Sequence, residues 1–449
     1  MYAQETSLKP VKPLGRELLT LALPLMLSNL AYTLIGLTDT AFMGRVGTVE
    51  VGAVGLGNLL ILTLQLLFRG SLETVTVFAA RFFGEGNPLE VGRTYGRFLM
   101  LALVLAIPVT LLAYPALEGI LFLLKPAPDV LEALKSYTHL RFLEIGFVLL
   151  SSVNLGFMLG IGNSRTPMLI SWATVLLNGV LAYVLTFPLE QGIRGVGLAT
   201  LIALTAQAAL SSFLVWRLYS KTYTLRPFFP ARADLPRILK VAAPAGATQL
   251  LEVSAFTAFL GIISQLGPRE LAASQVSNQL ASIGFMPAFA LANATGSLLS
   301  RYLGEKRPDL AARVGWMGAI YGSAAMGILA LFFVFTPLPL IRVFTDKEEL
   351  YPLAIQIMRL MALYQILDGL GIILGGALQG AGDTRFRLWV TVLGSWGIMV
   401  PLAYWLSAGP LGLNGAWLGA LVYFFFAAAL YAWRFSSGRW KRSGLLSAV

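Results

Sequence analysis

A few acidic residues lie within long apolar stretches of the sequence, where a charge is costly. Asp39 lies between Thr38 and Thr40 in the first stretch, and Glu252 and Asp368 lie near the middle of two later ones. An ionisable side chain at the centre of a membrane costs about 2.5–3.5 kcal/mol or more, and it usually marks an ion or substrate pathway. We interpret all three carboxylates as groups that bind a proton or a sodium ion. For Asp39, a hydrated position near the outer membrane surface is the alternative.

The surroundings of Asp368 suggest a cation site with oxygen ligands. Tyr364 precedes Asp368 by four residues and therefore lies on the same helix face. Gly375 continues that face and leaves it bare, which allows either close helix packing or room for a ligand. Together with Glu252, these residues predict a site for a monovalent cation, with sodium held by Glu252, Asp368 and Tyr364. The alternative is a buried structural pair that shares a proton. Two hydroxyl groups near Glu252 in sequence add oxygen atoms: Thr248 and Ser254.

The remaining charges within apolar stretches have simpler interpretations. Arg69 and Glu73 are four residues apart and are expected to form a structural ion pair along one helix face. His139 and Arg141 lie near the outer end of their stretch, so we expect them to be hydrated at the membrane interface. Glu144 lies deeper without a partner evident from the sequence, and its role stays open.

Composition identifies the class of protein that positions these residues. The chain is 57% hydrophobic and only 12% charged, whereas soluble domains carry about 25% charged residues. It has no cysteine and one histidine, which leaves neither a nucleophile nor a metal set for a membrane-embedded enzyme. The net charge of +11 arises mainly in loops on one side, so it indicates membrane topology and not nucleic-acid binding.

Twelve apolar stretches are long enough to cross a bilayer as helices, for which about 20 residues are needed. They are too long and too continuous for barrel strands. The expected fold class is therefore an all-α integral membrane protein with twelve transmembrane helices. The stretches are 15–43, 52–80, 95–117, 132–159, 168–188, 194–217, 238–265, 271–300, 313–337, 350–379, 387–407 and 411–435.

The chain repeats itself after 220 residues without a gap. Pro24 corresponds to Pro244, and Arg81 corresponds to Arg301. Six spans per repeat is an even number, so both halves insert the same way up and form two six-helix lobes related by a parallel pseudo-two-fold repeat. We place the N-lobe at 1–217, a cytoplasmic linker at 218–237 and the C-lobe at 238–449. The excess of Lys and Arg in the loops predicts that both termini are cytoplasmic.

These features together resemble the multidrug and toxic compound extrusion (MATE) family over nearly the whole chain. The likeness rests on Leu23-Pro24 with Asp39-Thr40, on the segment 80–87 after the second span, and on the segment 379–385 after the tenth. It implies a V-shaped pair of lobes in the cell inner membrane. It also implies that Asp39 takes part in proton or sodium coupling, with Asn178 nearby, and that Glu252, Tyr364 and Asp368 form a cation site of the NorM type.

One departure from that pattern concerns the N-lobe. In archaeal-type members the span 5 asparagine is followed by Leu-Asp-Pro, whereas here Leu181 is followed by Ala182 and Tyr183. A second N-lobe aspartate is therefore missing from this sequence.

The predicted function is a secondary antiporter that exports cationic, amphipathic drugs or toxic compounds in exchange for inward protons or sodium. We expect a monomer in the lipid bilayer, with small organic cations as cargo, no nucleic-acid partner and no cofactor. Apolar side chains expected to contact the cargo are Phe42, Met158, Phe285, Met286 and Phe289. A lipid-linked oligosaccharide flippase of the same superfamily is the main alternative, followed by a channel or an enzyme. The sequence has no Walker-type phosphate loop, so we expect no ATP-driven step.

Overall fold

The long apolar stretches form long helices, because a helix satisfies all of its backbone hydrogen bonds internally. The computed structural model describes residues 13–124, 128–231 and 234–441. Its α-helices are α1 (Leu14–Val46), α2 (Thr48–Leu72), α3 (Val75–Gly84), α4 (Pro88–Leu124), α5 (Pro128–Phe142), α6 (Glu144–Gly160), α7 (Arg165–Thr186), α8 (Gly192–Tyr219), α9 (Asp234–Ser264), α10 (Pro268–Gly304), α11 (Pro308–Phe335), α12 (Pro337–Arg342), α13 (Tyr351–Gly380), α14 (Thr384–Thr391), α15 (Val400–Ser407) and α16 (Gly412–Ser436).

These helices confirm the predicted number of spans. Within the described ranges, 11 helices are long and apolar enough to cross a membrane, and the pair α5 and α6 makes a twelfth span with a bend of 42°. The second span joins α2 to α3, and the eleventh joins α14 to α15 through a π-helix, Val392–Met399. Both ends of the chain, 1–12 and 442–449, lie outside the described residues, so their cytoplasmic location stays a prediction.

Each lobe has its own apolar core, and each core includes the first turns of a helix from the other lobe. The N-lobe core includes Ile238, Val241 and Ala242 from the start of α9. A C-lobe core includes Leu18, Leu21 and Ala22 from the start of α1. The two trios correspond to each other under the 220-residue repeat, so the crossing is reciprocal and fastens the two lobes together at one end.

The same end contains a close contact between the two lobes on the pseudo-two-fold axis. A Cβ atom added to Gly84 would overlap the backbone oxygen of Arg301, and one added to Gly304 would overlap that of Arg81. Glu17 strengthens the contact, because its carboxylate accepts hydrogen bonds from Arg301 Nη1 at 3.1 Å and from the hydroxyl of Tyr302 at 2.5 Å. This is the end that the charge distribution predicts to be cytoplasmic.

Toward the opposite end, α1 leaves the C-lobe and contacts its own lobe. Thr33 Oγ1 lies 3.9 Å from Met286 Sδ of the C-lobe. Further along the helix, Asp39 contacts Thr200 and Phe42 packs on Phe187, both of the N-lobe. The lobes are thus joined at the predicted cytoplasmic end and diverge from it.

The segment between α8 and α9 is attached to the N-lobe. Its Phe228 N–H donates to the carbonyl of Gly96 at 3.2 Å. Gly92 and Gly96, one turn apart on α4, leave the space in which the backbone of Thr224 and Arg226 approaches. The boundaries 218–237 stay a prediction, but the chain between the lobes follows the surface of α4.

Candidate functional site

Asp39 is enclosed inside the N-lobe and is not a hydrated residue near the membrane surface. Its side chain is 1% exposed, although it lies only seven residues before the end of α1. Its Oδ2 atom accepts a hydrogen bond from Thr200 Oγ1 of α8 at 3.2 Å. Burial of a carboxylate at this depth requires a partner or a proton, which excludes the hydrated alternative.

Asn178 of α7 is linked to Asp39 through Thr200. Its Nδ2 donates to Thr200 Oγ1 at 3.0 Å, and its side chain is fully buried. Two oxygen atoms in this group lack a hydrogen-bond donor among the described residues: Asp39 Oδ1 and Asn178 Oδ1. Buried acceptors are normally satisfied. An unsatisfied carboxylate and amide oxygen in one cluster match the needs of a proton on Asp39 or a small cation.

A second acid lies close to Asp39, and it carries its own counter-charge. Glu144 is 1% exposed and receives two hydrogen bonds from Arg141, at 2.5 Å to Oε2 and 2.8 Å to Oε1. Arg141 Nη1 lies 3.9 Å from Asp39 Oδ2. The N-lobe therefore contains a second acid after all, from span 4 and not from the place beside Asn178 where Ala182 and Tyr183 stand.

The interpretation of Arg141 as a hydrated interface residue is wrong. Its Nη1 donates to Asn58 Oδ1 at 2.9 Å and to the hydroxyl of Tyr137, and its side chain is 9% exposed. Arg141 and Glu144 are on opposite sides of the break between α5 and α6, which turns both toward the lobe interior. Their three-residue spacing was the available signal, because such residues are neighbours on a helix. His139, by contrast, is exposed as expected.

The Arg69–Glu73 ion pair is confirmed, with Nε and Oε1 2.7 Å apart. This pair neutralises itself along its own span, as the sequence predicted. It therefore leaves Asp39 and Glu144 as the acids of the N-lobe cluster.

In the C-lobe, Glu252 of α9 is paired with a cation that the sequence analysis did not include in the site. Its Oε1 atom lies 3.4 Å from Arg387 Nη2 and accepts a hydrogen bond from Thr391 Oγ1 at 3.3 Å. Both partners belong to α14, which begins at Thr384, directly after the turn that follows span 10. Glu252 is 33% exposed and Arg387 is 17% exposed. The predicted site is thus a group of two acids and one base.

Asp368 is the acid of this group that has no counter-charge beside it. Its side chain is 7% exposed, and no hydrogen bond or ion pair joins it to another residue in the described part of the chain. Its carboxylate interacts electrostatically with that of Glu252. Tyr364 precedes it on the same face of α13 and stacks on Phe424 of α16, with ring centroids 4.3 Å apart. The carboxylate of Asp368 is accordingly an acid without an ion-pair partner among the described residues.

The bare face of α13 is occupied by side chains of the same lobe. A Cβ atom at Gly375 would lie 3.6 Å from the ring of Tyr431 and 3.7 Å from Arg387 Nε. Arg387 also donates to Gln379 Oε1. Of the two alternatives for this face, the structure therefore shows internal packing.

Span 11 is tied to span 7 immediately beside Glu252. The Nε1 of Trp396, in the π-helix, donates to the carbonyl of Leu251 at 3.2 Å. Pro401, which lacks an N–H group, follows this π-helix and removes one α-helical hydrogen bond. π-Helices are rare and occur frequently at functional sites. Trp396 of the π-helix and Thr391, which directly precedes that helix, thus contact the adjacent residues Leu251 and Glu252 of α9.

The two hydroxyls expected to add oxygen atoms near Glu252 are bonded within their own helix. The hydroxyls of Thr248 and Ser254 donate to carbonyls of their own helix, at 2.7 Å and 3.2 Å. Thr391 supplies the hydroxyl beside Glu252. Among the residues with described side chains, no group of three His, Cys, Asp or Glu could hold a metal ion. Carboxylate, phenol and hydroxyl oxygens fit a weakly held monovalent ion better than a resident metal.

The predicted cargo-contact residues divide into two groups. Met158 is fully buried in the N-lobe core, so its assignment to a cavity wall is wrong in this conformation. Phe289 is 48% exposed and packs edge-on against Phe285. Phe42, Phe285 and Met286 are half-buried. The four residues other than Met158 thus remain accessible from the space between the lobes or from the lobe surface.

Comparison with known proteins agrees with this architecture. The sequence matches the MatE family model over residues 24–184 and again over 244–405, one match in each repeat. It is 27% identical to the "Probable multidrug resistance protein NorM" of Thermotoga maritima, over 97% of this chain and 95% of that protein. It is 29% identical to the "Multidrug resistance protein NorM" of Burkholderia vietnamiensis, over 95% of this chain and 94% of that protein.

The fold is also that of a solved transporter. An outward-facing structure of a multidrug resistance MATE family transporter of the MOP superfamily superposes with a TM-score of 0.88. It covers 95% of this chain and 97% of that chain, at 21% sequence identity. The twelve spans, the two lobes and the two family matches together show that the chain belongs to the MATE family of multi-pass membrane transporters.

Proposed function

We propose that this protein is a secondary antiporter that exports cationic, amphipathic compounds in exchange for inward protons or sodium. The relatives in the comparison are named for multidrug resistance, and the two-acid clusters inside both lobes suit cationic exchange. We place the protein in the cell inner membrane as a monomer with both termini cytoplasmic, without a cofactor, since one chain supplies both lobes.

The observation that carries the proposal is the unsatisfied pair of oxygens beside Asp39. Asp39 Oδ1 and Asn178 Oδ1 are buried acceptors without a donor in the described part of the chain, in a cluster that contains two acids and one base. A proton or sodium ion bound there neutralises the cluster and satisfies these oxygens. Release of that cation leaves the two oxygens unsatisfied and the cluster charged again. The bound and free states therefore have different stabilities, as coupling to a conformational change requires.

The lobe contacts supply the second requirement, two states with different access. The reciprocal crossing of α1 and α9 and the Gly84–Gly304 contact close the predicted cytoplasmic end. We infer that this is the outward-open state, in which the clusters are reached from outside. In the inward-open state these contacts separate while each lobe keeps its core.

The charge of both clusters argues against a flippase for lipid-linked oligosaccharides. With every group ionised, Asp39, Glu144 and Arg141 sum to one negative charge, as do Asp368, Glu252 and Arg387. A pyrophosphate-linked cargo needs basic groups that outnumber the acidic ones. Neither cluster meets that condition, and we therefore retain the cation exporter.

The test is efflux of ethidium from proteoliposomes under an imposed sodium gradient and, separately, an imposed pH gradient. Wild type is compared with Asp39→Asn, Asp368→Asn and the exposed control Asp309→Asn. We expect Asp39→Asn to abolish gradient-driven efflux and Asp309→Asn to leave it intact. The gradient that drives efflux identifies the coupling ion. Absence of efflux under both gradients, for ethidium and related organic cations, would refute the exporter.

A further inference from the structure

Arg387 is a fixed cation inside the predicted cation site of the C-lobe. Its Nη2 lies 3.4 Å from Glu252 Oε1, and its Nη1 donates to Gln379 Oε1. Its Nε lies beside Gly375 of α13, where a Cβ atom would be 3.7 Å away. Three elements, α9, α13 and α14, therefore hold the guanidinium in place, and it does not extend to the membrane surface as a long interfacial arginine does.

The position of Arg387 divides the two acids of the C-lobe into different classes. Glu252 is neutralised by Arg387 and bonded to Thr391. Asp368 has no such partner among the described residues. Tyr423 interacts electrostatically with Arg387, Glu252 and Asp368. With all three groups ionised, the site offers a ligand a single net negative charge, although it contains two carboxylates.

The N-lobe cluster has the same net charge, but its charged residues are at positions that do not correspond to those of the C-lobe. Its cluster also has two acids and one arginine, with Arg141 bonded to Glu144 and Asp39 left open. Under the 220-residue repeat, however, Glu144 corresponds to Tyr364 and Glu252 corresponds to Tyr32. The two clusters therefore do not inherit their charge from a common set of residues. Because two independent arrangements each give one net negative charge, we infer that the value of the net charge is important for function.

We propose that Arg387 determines cargo specificity by limiting the C-lobe to one net negative charge, so that singly charged organic cations bind and doubly charged ones are rejected. A monocation beside Asp368 leaves the cluster neutral. A dication leaves one uncompensated positive charge in a region of low dielectric, where unpaired charges are costly. This inference rests on the proposed function, because it concerns the cargo of the same site.

The test uses two dyes with the same ring system and different charge, ethidium (one positive charge) and propidium (two). Kd is measured for both by fluorescence titration of the purified full-length protein. We expect wild type to prefer ethidium, and Arg387→Gln to shift the ratio of the two Kd values toward propidium by about tenfold. Arg387→Lys retains the charge and is expected to retain the wild-type ratio.

Two further variants separate charge from folding and from surface potential. Arg387→Gln combined with Glu252→Gln restores one net negative charge without leaving Glu252 unpaired, and we expect it to restore the wild-type ratio. The double variant also tests the inference if Arg387→Gln alone does not fold. A ratio of the two Kd values unlike that of wild type in the double variant contradicts the inference. The exposed Arg359 of α13 is the matched control, and Arg359→Gln should leave the ratio unchanged.

Specific results would overturn the proposal. If Arg387→Gln changes both Kd values by the same factor, or if Arg387→Lys behaves as Arg387→Gln does, the residue acts through structure and not through charge. An equal shift in Arg359→Gln would assign the effect to the general surface potential. Failure of wild type to bind either dye would refute the proposed function, whereas binding with a ratio insensitive to Arg387 would refute this inference alone.

Discussion

Replacement of Arg141 by methionine tests whether one arginine stabilises two buried acids. In the structure Arg141 donates two hydrogen bonds to Glu144 and one to Asn58, and it lies 3.9 Å from Asp39. Both carboxylates are 1% exposed. Breaking a buried ion pair by removing one partner costs about 3–5 kcal/mol, because the remaining charge is left uncompensated. We expect Arg141→Met to lower the free energy of unfolding by an amount in this range.

The double variant Arg141→Met/Glu144→Gln gives the sharper measurement. It removes the pair together, and neutral replacement of a buried pair is often tolerated. We therefore expect the double variant to regain most of the stability that Arg141→Met loses, although it carries more substitutions. Thermal unfolding in detergent, followed by the fluorescence of the 9 tryptophans, ranks the variants at one heating rate. Equal midpoints for the single and double variants would refute the reasoning.

The same pair of variants separates stability from coupling. Arg141→Met/Glu144→Gln keeps Asp39 and the N-lobe count of one negative charge, so we expect gradient-driven ethidium efflux to persist in it. Loss of coupling as complete as in Asp39→Asn would show that Glu144 and Arg141 exchange protons or ions themselves. Asp39 would then not be the group that carries the coupling cation alone.

Two further changes probe the closed end and the Asp39 cluster. In Gly304→Val the new side chain meets the backbone oxygen of Arg81. Ser300 is fully buried in wild type, and Ser300→Cys supplies the only thiol in a chain without cysteine. We expect Gly304→Val to make maleimide labelling of this thiol from the cytoplasmic side several-fold faster, and an unchanged rate would contradict closure by this contact. Thr200→Val removes the donor to Asp39 and the acceptor of Asn178, which should cost about 1–3 kcal/mol and reduce gradient-driven efflux more than ethidium binding; an equal loss of both would argue against a separate coupling site.

The fold could be predicted almost entirely from the sequence, because two strong signals agree. Hydropathy places the spans, and the 220-residue repeat groups them six and six. The acids Asp39, Glu252 and Asp368 were found for the same reason: a charge in an apolar stretch is costly wherever its helix packs. The roles of these residues in ion coupling stay predictions.

The counter-charges were missed, because a partner is set by tertiary packing and not by hydropathy. Arg387 is the first residue of the predicted eleventh span, so hydropathy places it at the end of that span, whereas α14 begins three residues earlier and turns it toward Glu252. Arg141 lies near the outer end of its span, and only the break beside Leu143 directs it inward. The sequence thus showed which groups need compensation without showing which residues supply it.

The reciprocal crossing of the first helix turns has a consequence for the order of assembly in the membrane. Ile238, Val241 and Ala242 complete the core of the N-lobe, yet they are synthesised after all six of its spans. The first turns of α1, in turn, wait for the C-lobe before Leu18 and Leu21 are covered. Neither half can finish folding alone, so the newly made chain acquires its native packing only once the seventh span has been inserted beside the first six.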